Sequence, residues 1–198
     1  YWLPTERDRK RRIGVAPTYS VRIFLLLFLS CFAIEREHYY EHQSEVYPAI
    51  VLSKPVQKGK WQTKPNVRIC PDTGISPARV SRAMNYWKRL GYEFGNIIIE
   101  KDMYNCLMPP PLRREILITL PHQEFNEKHL AATKISTHRI TGEIVKANIY
   151  ITPRNSERER ILEHEFGHAL GWNHYPQRDH IMNPEWEFGG YNSYGLRR

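Results

Sequence analysis

The sequence predicts an α+β fold, a mixed sheet with helices packed against it, on three observations. Five short stretches rich in β-branched residues lie between turn residues. Two longer stretches carry apolar residues at helical spacing behind N-cap signals. Their order is strand, helix, four strands, helix. A chain of 198 residues suits one compact domain with appendages.

The first strand is "NVRIC", 66–70, closed by the turn residues of "PDTG". In "SPARVSRAMNYWKRLGY", Ser76 is an N-cap, Pro77 takes the first helical position, and Val80, Met84 and Trp87 recur at helical spacing. The helix is expected to end near Gly91. "NIIIEKD", 96–102, and "REILITLP", 114–121, are the next strands, separated by the proline run "MPPP" that neither a strand nor a helix tolerates. "HLAATKIS", 129–136, is polar enough for an edge strand. "GEIVKANIYIT", 142–152, sets Ala147, Ile149 and Ile151 on one face and Asn148 and Tyr150 on the other. The last helix is expected over 157–170, with Ser156 and Glu159 as a capping box and Glu157 adding negative charge in its first turn. No internal repeat is visible.

Ahead of this core, residues 1–34 form a basic arm followed by the apolar run "IFLLLFLSCFAI". Twelve residues rise about 18 Å as a helix, short of a hydrocarbon core of about 30 Å, so the run fits a signal-peptide core and not a spanning segment. Cleavage after Ala33 is one outcome. A lipobox-like "FLSC" with Cys31 lipidated is another, and a buried core segment is the structural alternative. Residues 35–60 mix charge, proline and glycine and are expected as a linker or short leader, which leaves 61–198 as the folded domain. The product is then secreted or extracytoplasmic, with membrane anchoring only through the N-terminal segment.

The net charge of +8 owes half its surplus to the N-terminal arm, and no aromatic-studded basic motif follows, which argues against a nucleic-acid partner. The three cysteines form no metal-binding spacing. Without Cys31, Cys70 and Cys106 are an even pair, either a disulfide or two buried thiols.

The chemistry is concentrated in "HEFGHALGWNH", 164–174. His164 and His168 are four residues apart on the expected helix, so both rings project from one face and can share a metal ion. Glu165 sits one residue on, placed for proton transfer to a metal-activated water and not for ligation. Gly171 tolerates positive φ, which lets the chain turn out of the helix and return His174 to the same ion. Three neutral nitrogens leave a fourth position open, as in a catalytic zinc site. From the chain's own composition, H-E-x-x-H-x-x-G-x-x-H arises by chance on the order of once in ten thousand such chains.

This stretch resembles the metzincin clan of zinc endopeptidases and is closest to the matrixins, the matrix metalloproteinase family. "IMNP" places Met182 in the position of the clan's Met-turn, an apolar floor beneath the ion. The resemblance implies a mainly parallel twisted sheet, an edge strand beside the cleft, two main helices and a short C-terminal subdomain. It also implies that 129–136 pairs with an extended substrate backbone and that "EWEFGGYNSY" builds a wall of the specificity pocket. Specific motifs cover 164–184; the rest of the likeness is architectural.

The departures are informative. No "PRCGxPD" switch is present, and Cys70 in "ICPDTG" ends an expected strand. With four aspartates in the chain, the structural zinc and calcium sites of matrixins are not carried over. Pro184 stands where some relatives have an oxyanion-assisting tyrosine; Tyr191 or Tyr194 could substitute, although ordinary packing is the simpler reading. The expected activity is hydrolysis of protein or peptide substrates by a monomer, with one zinc and Glu165 as general base. The competing readings are a zinc-retaining peptide-binding module without catalysis and a zinc hydrolase of a non-peptide bond.

Overall fold

The computed structural model describes residues 35–41, 54–107, 114–121 and 130–198. The basic arm, the apolar run with Cys31 and the proline run lie outside the described residues. Six strands form one sheet: β1 (Glu35–Glu41), β2 (Asn66–Ile69), β3 (Ile97–Ile99), β4 (Glu115–Thr119), β5 (Ala131–His138) and β6 (Ile144–Ile151). Their order is β1-β5-β6-β4-β2-β3. The pairs β2–β3, β2–β4 and β4–β6 are parallel, while β5 pairs antiparallel with β6 on one side and β1 on the other. The architecture is therefore α+β with a mixed sheet, as the sequence order implied, and three of its five strand pairings are parallel.

Two expectations need correction. The stretch 129–136 was expected at an edge, but β5 is interior because β1 pairs with it from Glu35 opposite His138 to Glu41 opposite Ala132. The stretch 35–60, expected as a linker or leader, contributes β1 and a second docked segment. Gln57 bridges Trp172, Lys60 bridges Glu143, and the Lys58 N–H donates to the Gly171 carbonyl at 2.8 Å. In both cases the backbone supplies the adhesion. A ladder to an exposed strand edge requires no hydrophobic period, so composition gave no warning of it.

Helix α1 (Pro77–Lys88) begins as expected, with Ser76 Oγ accepting from the Arg79 N–H at 3.2 Å. It buries Val80, Ala83, Met84 and Trp87 and ends just before Gly91, which takes φ 95°. The short α2 (Tyr104–Leu107) carries Cys106, whose disulfide to Cys70 ties it to the end of β2 over a Cα separation of 6.0 Å.

The last helical region differs from its expected form. It splits into α3 (Pro153–Ser156) and α4 (Ile161–Ala169). No capping box forms: the Ser156 hydroxyl donates to the Pro153 carbonyl at 2.8 Å, and the residue before α4 is Arg160 at φ 67°. Arg79 accounts for the break. Its buried guanidinium holds both oxygens of Glu163 at 2.7 Å and takes the Ser156 and Arg158 carbonyls, which a continuous helix would occupy. The core lies where α1 and α4 meet the sheet, with Trp87, Leu162 and Phe166 against Ile116, Ile118, Ile135 and Ile149.

Candidate metal centre

Burial of Ile161, Leu162, Phe166 and Ala169 fixes the rotation of α4, and the four-residue spacing then sets His164 and His168 side by side. Their Nε2 atoms are 3.0 Å apart and their ring centroids 4.7 Å. Beyond α4 the chain turns at Gly171 with φ 95°, where a side chain would overlap the Gly59 carbonyl; position 171 thus needs glycine for both its dihedral and its clearance. The turn returns His174, whose ring centroid lies 5.4 Å from that of His164 and 4.6 Å from that of His168.

One nitrogen from each of the three rings lies within 4.8 Å of the others, close enough to hold one metal ion, and among the described residues no further His, Cys, Asp or Glu joins the set. A tetrahedral zinc with bonds of about 2.0–2.1 Å spaces its ligand nitrogens about 3.3 Å apart, so small ring rotations bring these three to that distance. The tautomers also fit. Nδ1 of His164 donates to the Ile181 carbonyl and Nδ1 of His168 to the Trp172 carbonyl, each at 2.7 Å. A carbonyl only accepts, so both neutral rings carry their hydrogen on Nδ1 and turn an Nε2 lone pair inward. A shared cation would stabilise two lone pairs facing at this distance.

Glu165 lies outside this ligand set. It is 1% exposed, and its Oε2 accepts a 2.6 Å hydrogen bond from the Thr133 hydroxyl on β5. Burial pushes its carboxyl up to about 8, with the Thr133 hydrogen bond opposing the rise.

Met182 is fully buried beneath α4, packed so closely on Gly167 that a Cβ there would overlap its sulfur. Its turn braces the metal cluster from below. Ile181 orients His164, and the Met182 carbonyl accepts from the Tyr175 N–H, next to His174, at 2.7 Å. Buried His180 holds the turn itself. Its Nδ1 accepts from the Met182 N–H and its Nε2 donates to the Tyr194 carbonyl, each at 3.1 Å. Tyr191 packs on Tyr86 at 6.0 Å, and Tyr194 is exposed; neither lines the cavity beside Glu165. Cys70, being in a disulfide, offers no thiol to the site.

That cavity is lined by His164, Glu165, Ile161, Trp186, Gly189 and Gly190 among others, so part of "EWEFGGYNSY" does form its wall. All six residues singled out in the sequence are thus in one place. Three contributors escaped sequence reading: Thr133, His180 and Arg160. Thr133 had left one signal, a hydroxyl on the inward face of its strand between Ala131 and Ile135, where a buried polar group implies a partner. No known protein family, characterised protein or solved structure matches the chain.

Proposed function

We propose that the protein is a zinc-dependent endopeptidase of the metzincin type, nearest to the matrixins, with Glu165 as its general base. The observation that carries this reading is the convergence of His164, His168 and His174 on one point, with Glu165 outside that set and lining one cavity with His164. Three imidazoles with oriented tautomers and no fourth described ligand suit a catalytic zinc with an open position. Met182 under the helix supports the Met-turn likeness, and the Cys70–Cys106 bond supports an extracytoplasmic setting.

A zinc ion held by the three rings supplies Lewis acidity toward a peptide carbonyl and toward water. Glu165 takes the proton of the attacking water and returns it to the leaving amine. Thr133 keeps the carboxylate aimed, and the Ile181 and Trp172 carbonyls keep two rings in the ligating tautomer. The buried floor of Ile161, Phe166 and Met182 keeps bulk water from the back of the site.

The test is incubation of the zinc-loaded chain with a peptide library, products read by mass spectrometry and zinc by elemental analysis. Glu165→Gln is expected to keep zinc and lose roughly a thousandfold or more in turnover. Near-normal turnover in that variant removes Glu165 from the mechanism. His174→Ala is expected to lose zinc, and full occupancy there removes it as a ligand. Zinc without any hydrolysis in the unaltered chain favours a binding module instead.

A further inference from the structure

The geometry points to Arg160 as the residue that sets specificity, selecting peptides with an acidic side chain next to the bond to be cut; this rests on the peptidase reading above. Arg160 lines the same cavity as His164 and Glu165. Its Nη1 donates to the Gly189 carbonyl, and its guanidinium carbon lies over the Trp186 ring, 5.1 Å from the centroid. The cavity it lines is small, with room for roughly one water. Besides His164, Glu165 and Asn183, the lining is apolar or backbone: Leu130, Ile161, Ile181, Trp186, Gly189 and Gly190.

Charge balance gives the direction of the preference. Among the described residues Arg160 makes no ion pair. Of the carboxylates nearest in sequence, Glu163 is paired with Arg79, Glu159 lines the depression beside Arg79 and Arg82, and Glu165, on the same cavity, makes its bond to Thr133 and not to Arg160. A guanidinium has five donors in a planar fork, and Gly189 takes one. When a peptide covers the cavity it strips water from the remaining donors. An apolar side chain leaves that charge desolvated and uncompensated, whereas a carboxylate meets the fork with two charge-assisted hydrogen bonds.

The backbone strengthens the assignment. Position 160 adopts φ 67° and ψ −20°, a conformation that glycine bears most easily, yet an arginine stands there with its side chain lining the cavity. Folding alone favours glycine at this position. The guanidinium in the cavity gives a reason for the arginine.

The test separates this inference from the peptidase reading by measuring binding as well as cleavage. Alanine-rich peptides differing only in a central Glu, Gln, Leu or Lys are titrated calorimetrically into the zinc-loaded Glu165→Gln protein. The Glu peptide is expected to bind at least about tenfold more tightly than the Gln or Leu peptide. Adding Arg160→Glu is expected to reverse the order in favour of Lys. Arg160→Gly, which relieves the left-handed backbone, is expected to abolish the acidic preference without lowering the unfolding temperature. Equal affinities, no measurable binding, or an acidic preference that survives Arg160→Gly overturns the assignment. Acid-selective binding by a protein that cleaves nothing overturns the peptidase reading alone, and cleavage without acidic preference overturns this one alone.

Discussion

Thr133 approaches Glu165 from a strand 32 positions earlier in the chain, and its hydroxyl decides where the carboxylate points. The bond is short, at 2.6 Å, so its removal has a kinetic signature. Thr133→Val keeps shape and burial while deleting the donor. The expected result is unchanged zinc content and a fall in turnover of about tenfold, the size of one hydrogen bond to a charged group; steady-state kinetics beside metal analysis checks it. At this scale the ligands were legible, because helical geometry converts a four-residue spacing into two rings on one side whatever surrounds the helix. Thr133 was not, because β-pairing brings it to α4 and no local spacing records that approach. Arg160 was hidden for a related reason. Its place comes from which cavity its side chain lines, a property of the wall built by Trp186 and Gly189.

At the scale of the element, α4 owes its start to an arginine on another helix. The sequence offered Ser156 and Glu159 as a capping box, a local preference worth about 1 kcal/mol. Arg79 overrides it with a bidentate buried pair to Glu163 and two backbone carbonyls. Removing the cation leaves Glu163 buried and uncompensated. Arg79→Met is therefore expected to lower stability by about 3–5 kcal/mol, read from the shift of the urea midpoint. The turn 180–183 depends on a neutral His180. Burial pushes that ring below its usual value while the hydrogen bond to the Tyr194 carbonyl opposes the shift. The groups facing it are the Tyr175 ring at 4.8 Å, the Met182 N–H and the Tyr194 carbonyl, and none of them is an acid. Because the folded value is lowered, the unfolded chain binds the proton first. Stability is full above the unfolded value of about 6.5 and declines as pH falls below it. Thermal unfolding of the zinc-loaded chain across this range is expected to show the decline, and His180→Gln to reduce its slope.

The whole molecule joins parts that local reading keeps separate. β1 lies along β5, so the backbone edge expected to receive a peptide is already paired over 132–138. The segment 54–60 crosses to Gly171 and Glu143, and Trp61 donates to the Ala169 carbonyl at 2.8 Å, clamping the end of α4 next to the metal cluster. The Cys70–Cys106 disulfide closes a loop with a sequence separation of 36. A loop of that size restricts the unfolded chain enough that replacing both cysteines by serine is expected to cost about 2–4 kcal/mol. Denaturant titration of the double variant measures it, with metal affinity expected to be unchanged because the bond joins β2 to α2, away from α4.

The sequence by itself determined the histidine cluster and the class of fold. Residues 164–174 hold the three histidines, Glu165 and the turn glycine in one short stretch, and the alternating and helical periods name a mixed sheet before any contact is known. The tertiary structure alone decided which strand lies at the sheet edge, where α4 begins, what aims Glu165 and what lines the cavity beside it. Each of these depends on groups far apart in sequence, joined by backbone ladders, a buried ion pair and side-chain packing whose free energy exists only once the chain has folded.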